Sequence, residues 1–163
     1  AFFGYLLSFI LLYTYWRAHN FMISSLAQNI NSRLASYNAY FLLFVTLVPF
    51  SAYFLGKYSE NFVSILVYGL NVIAIGITLN TIRAYIIKSE SIEASKNWSK
   101  GDLQNATIRG LFPIISAILA IAIGLVNTRV SIILFTAALL FNLSSNSVRH
   151  LRILLRLVLK TPK

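Results

Sequence analysis

NFVSILVYGLNVIAIGITLNTI, residues 61–82, runs for 22 positions without a Lys, Arg, Asp or Glu. An α-helix rises 1.5 Å per residue, so about 20 residues cover the roughly 30 Å of hydrocarbon in a bilayer. This stretch reads as a membrane span. Outward from it the pattern repeats, with uncharged windows at residues 1–16, 34–56, 110–128 and 130–148. Of the 163 residues 58% are hydrophobic and 11% charged, against about 45–50% and about 25% in soluble domains. The composition excludes an ordinary soluble globule. Cysteine is absent, which removes disulfides, thiolate metal sites and Cys nucleophiles and says nothing of compartment.

The formal charge is +10, from 14 Lys and Arg against 4 Asp and Glu. Alternating the windows across a bilayer sends twelve of the basic residues to one face and leaves only Lys57 and Arg129 on the other. Cytoplasmic loops collect Lys and Arg, so the crowded face is expected to be cytoplasmic, and the C-terminus with it. A nucleic-acid surface is the competing explanation of the charge. The basic residues sit at span edges and no soluble module carries them, so no nucleic acid is expected as a partner. The same alternation puts Ala1 on the external side. With no charged n-region before the first window, the reading expects an upstream segment, most simply one earlier span with a cytoplasmic N-terminus.

The expected fold class is all-α, a polytopic membrane helix bundle forming a single transmembrane domain over residues 1–163. Five helices are visible, at about 2–24, 33–55, 61–88, 109–128 and 130–160, and six are expected in the full subunit. Pro49 should kink or end the second helix, since proline lacks a donor and clashes with the preceding turn. Gly56 to Glu60 is a tight turn, and residues 89–106, holding three of the four acidic residues, form a polar cytoplasmic linker. Pro113 fits the first turn of the fourth helix. Ala117, Ala120 and Gly124 share one face of it, a small-residue pattern read as packing within the subunit.

No window contains a carboxylate, which argues against a proton-coupled carrier. Paired acids, Ser-His-Asp sets and an HExxH motif are missing too, so neither an enzyme nor a metal or cofactor site is expected. What remains is neutral hydrogen-bonding groups at helical spacing. Trp16, His19 and Asn20 project from one side of the first helix, Tyr68 and Asn71 from one side of the third, and Asn38 lies in the second. An unpaired amide in hydrocarbon costs several kcal/mol, so these groups should face other helices. Arg149, Arg152, Arg156 and Lys160 form one stripe of the tail, suited either to anionic lipid headgroups or to a stop-transfer flank.

The order Tyr15-Trp16-Arg17-Ala18-His19, Asn38, Pro49-Phe50 and Tyr68-Gly69-Leu70-Asn71 resembles the transmembrane protein 175 family of potassium channels, over about residues 1–88. The resemblance implies a six-helix subunit of the single-repeat prokaryotic type, a homotetramer around a central pore, K⁺ ions as the permeating species and a multi-pass protein of a prokaryotic plasma membrane. It also implies a first helix, with an Arg and a Phe-Ser-Asp motif, that supplies a hydrophobic constriction. No Phe-Ser-Asp occurs in this sequence, so the pore-lining residues are expected on that preceding helix. Trp16, His19 and Asn38 would support the pore helix, with Pro49, Phe50, Tyr68 and Asn71 structural. The alternatives are a non-conducting scaffold or accessory subunit and, further off, a small transporter.

Overall fold

A computed structural model describes residues 2–27, 29–89, 92 and 100–143. The described chain is helical throughout: α1 (Phe2–Asn20), a π-helical stretch (Phe21–Leu26), α2 (Ser32–Thr46), α3 (Val48–Lys57), α4 (Phe62–Lys88), α5 (Lys100–Gly124) and α6 (Thr128–Leu143). No strand occurs among the described residues, and the fold is an all-α membrane helix bundle. Asparagine starts three of these helices. Asn31 accepts from Leu34 N at 2.9 Å, Asn61 from Val63 N at 2.9 Å, and Asn127 from Arg129 N and Val130 N at 3.1 Å each. Each side-chain oxygen satisfies a first-turn donor that the helix itself leaves open.

α4 is the hub. Along α4 the buried residues Ile65, Tyr68, Val72, Ile75, Leu79, Ile82 and Ile86 recur at alternating spacings of three and four, which keeps one seam of the helix facing its neighbours. α2, α3, α5 and α6 all pack on α4. Its approach to α5 depends on missing side chains. A Cβ at Gly76 would stand 2.5 Å from Ile114 Cγ1, and one at Gly69 2.8 Å from Ile121. The expected small-residue face of α5 packs inside the subunit: Ala117 and Ala120 are fully buried, and Gly124 lies against Ile65.

The boundaries differ from the sequence reading in three places. The first helix loosens into π-helical geometry at Phe21, where Ala27 N reaches back five residues to Met22 O at 3.0 Å. The second segment breaks at Leu47, two residues before Pro49, which then occupies the first turn of α3; proline is tolerated there because its absent N–H would have no partner. α5 begins at Lys100 inside the stretch read as linker, so Pro113 lies within the helix and not in its first turn. α6 is described to Leu143. The expected continuation to residue 160, with Arg149, Arg152, Arg156 and Lys160, lies outside the described residues.

Ser32–Lys57 and Phe62–Lys88 are long and apolar enough to cross a membrane, and Gly110–Gly124 and Thr128–Phe141 are shorter apolar helices. The outside of the bundle is correspondingly apolar, with Leu43, Phe50, Leu70, Ile77, Ile118 and Ile133 each more than half exposed. Two turns meet at one end, where Arg129 pairs with Glu60 at 2.8 Å. At the other end Asn31 donates to the Tyr85 hydroxyl at 2.8 Å, fixing the start of α2 beside the end of α4.

Candidate functional site

α1 has two unlike faces. One carries Ile10, Leu11 and Tyr15 into the core, where the Tyr15 hydroxyl donates to Val72 O at 3.0 Å. The other carries Tyr5, Phe9, Tyr13 and Trp16, all between 40% and 69% exposed. Their spacings of four, four and three build an aromatic row on one side of the helix. Phe9 stacks with Tyr13 and Tyr13 with Trp16, each at 6.4 Å between centroids, and the Arg17 guanidinium lies 5.8 Å from the Tyr13 ring centre.

His19 stands at the border between these faces. Its ring stacks on Phe41 of α2, nearly parallel at 4.6 Å, and its Nε2 lies 2.6 Å from Asn38 Oδ1. Asn38 and Phe41 are three apart and therefore share a face of α2. An amide oxygen only accepts, so in this orientation Nε2 carries the proton and a neutral ring offers Nδ1 as an acceptor. Of the three groups expected to share a side of α1, His19 alone turns to α2. Trp16 projects outward at 59% exposure, and Asn20 accepts from the Ser24 hydroxyl at 3.0 Å.

The remaining expected residues lie on α3 and α4. Tyr68 is fully buried against Phe135, with 5.0 Å between centroids, and its hydroxyl has no partner among the described residues. The Tyr68 ring thus meets an aromatic side chain of α6. Asn71 is buried beside Ser51, 3.0 Å from its Oγ, and Phe50 is exposed and stacks with Phe54. Arg83 of α4 donates to the Thr107 hydroxyl of α5.

Chemically the candidate site offers neutral donors and acceptors beside an aromatic surface. Among the described residues no three His, Cys, Asp or Glu side chains converge. Sequence reasoning missed Phe41 and Tyr15, whose roles depend on which helices become neighbours. The aromatic row was also missed, although the helical spacing of 5, 9, 13 and 16 could have marked it.

Residues 1–49 match a family model described as "Endosomal/lysosomal potassium channel TMEM175". The matched stretch contains Trp16, His19, Asn38 and Pro49, and ends before Tyr68-Gly69-Leu70-Asn71. No curated protein and no solved structure matches the chain. The chain is thus similar, over its first two spans, to a family of potassium channels, and with its apolar helices it is an integral membrane protein.

Proposed function

We propose that the chain is a subunit of a channel for K⁺ or a related monovalent cation, assembled as a homotetramer. The observation that carries this reading is the His19–Asn38 bond at 2.6 Å, which joins two helices within the residues that match the potassium-channel family. The pore constriction belongs to a helix preceding Phe2, bearing the family's Arg and Phe-Ser-Asp. Trp16, His19 and Asn38 hold that helix in position and do not touch the ion. A hard cation wants oxygen ligands, whereas an indole N–H and an imidazole suit a Ser, Asp or Arg on a neighbouring helix.

In this reading the basic face and the C-terminus are cytoplasmic, in a prokaryotic plasma membrane, and the tail stripe Arg149, Arg152, Arg156 and Lys160 contacts anionic lipid. Each basic residue near such a surface contributes about 1 kcal/mol. Potassium flux into liposomes tests the division of labour. Protein that includes the preceding helix should carry K⁺, and residues 1–163 alone should not; comparable flux from both would overturn the placement of the pore.

A further inference from the structure

α2 and α3 together form one segment of membrane-crossing length, interrupted at Leu47. In an unbroken helix the N–H of Val48 bonds to the carbonyl of Phe44, and residue 49, being proline, offers nothing to Val45. The Asn71 carboxamide, buried on α4, stands in this gap. Oriented as its neighbours require, its nitrogen donates to Phe44 O at 3.1 Å, and its oxygen accepts from Val48 N at 3.3 Å and from Ser51 Oγ at 3.0 Å. The reverse orientation sets acceptor against acceptor and donor against donor. One side chain therefore bridges the two backbone groups that would otherwise bond to each other. Leu47 N meanwhile takes a tighter, three-residue step to Phe44 O at 3.2 Å, as in a 3₁₀ turn.

We infer that Asn71 is the latch of a hinge in the second span: the inserted carboxamide holds the junction of α2 and α3 open, and its withdrawal lets Val48 N–H close directly onto the Phe44 carbonyl. Side-chain insertion into the helical ladder is one of the few causes of a sharp helix kink. Proline permits the hinge without setting it, because Pro49 sits in the first turn of α3. The hinge lies between two anchored halves. α2 is tied to α1 by Asn38 and His19 and to α4 by Asn31 and Tyr85, while α3 packs on α1 and α4. Unlatching swings the outer half of the span against α1 while the inner half stays pinned.

Spin labels at Ala35 and Tyr53, exposed on α2 and α3, test this in a chain free of cysteine. The positions are 18 residues apart, about 27 Å in an unbroken helix. Distances are read by pulsed electron resonance on full protein, with labelled chains diluted in unlabelled ones. Asn71→Leu should lengthen the mean distance, Pro49→Ala alone should leave it unchanged, and the two together should bring it to about 27 Å. An unchanged distance in Asn71→Leu, with helix content intact, would overturn the latch and give the break to Pro49 alone. If the leucine variant does not assemble, Asn71→Ser is too short to reach both Phe44 and Val48 and is read the same way.

Discussion

Asn38→Leu keeps the volume of the side chain and removes the acceptor that faces His19 Nε2 at 2.6 Å. The imidazole N–H is then left half-buried and unpaired, at a cost of about 1–3 kcal/mol. Thermal unfolding in detergent should show the loss. His19→Phe in the same background should recover part of it, because a ring stacked on Phe41 needs no partner for an N–H it does not have. Trp16 behaves differently. Its indole is exposed on the subunit, so Trp16→Phe should change subunit stability by less than about 0.5 kcal/mol. Under the proposed function, the change should instead weaken the tetramer or lower open probability with K⁺-over-Na⁺ preference intact. Altered selectivity at normal assembly would place Trp16 in the conduction path. The His19–Asn38 encounter was partly legible, since both residues stood out as hydrogen-bonding groups on helices, Asn38 inside an apolar window and His19 just beyond one. The outward turn of Trp16 was not, because spacing puts residues on one side of a helix without saying which of them meets the neighbour.

Among elements, α4 shows what an apolar stretch gives away and what it hides. Its length and burial follow from 22 uncharged residues, and the seam from Ile65 to Ile86 follows from their three-and-four spacing. Where α5 would touch was hidden, since glycines within an apolar window mark close approach only once a partner is known. Gly76→Ala puts a methyl 2.5 Å from Ile114 Cγ1, and overpacking of this kind costs about 1–3 kcal/mol. Ile114→Ala in the same chain should relieve much of that cost. Gly124→Ala is the control, its nearest contact being 3.3 Å from Ile65; a Gly76→Ala protein as stable as this control would refute the tight α4–α5 contact. The second span carries a similar lesson. Pro49 announced a break, yet the break falls at Leu47, because Asn71 of a different helix supplies the bonds that a bend there leaves open. A polar residue 24 positions from the break is invisible to local rules. The start of α5 at Lys100 was missed because its first turns are polar and follow a charged linker, where hydropathy gives no helical period.

At the scale of the whole molecule, the charge count placed Lys57 and Arg129 on one side, and the Glu60–Arg129 pair brings the two turns to the same end of the bundle. Both partners are about 80% and 77% exposed, so the pair adds little stability, and Arg129→Ala should cost no more than about 1 kcal/mol. Its use is as a marker of topology. Cysteines replacing Lys57 and Arg129 should react with an impermeant thiol reagent added outside intact cells, and one replacing Lys100 only after permeabilisation. Labelling at position 100 in intact cells would invert the topology. Under the proposed function, potassium conduction is decided by a planar bilayer containing the protein together with the proposed preceding helix, bathed by KCl on one side and NaCl on the other. Single-channel currents should reverse toward the K⁺ equilibrium value; a silent bilayer with assembled protein, or a reversal at zero, would refute potassium conduction.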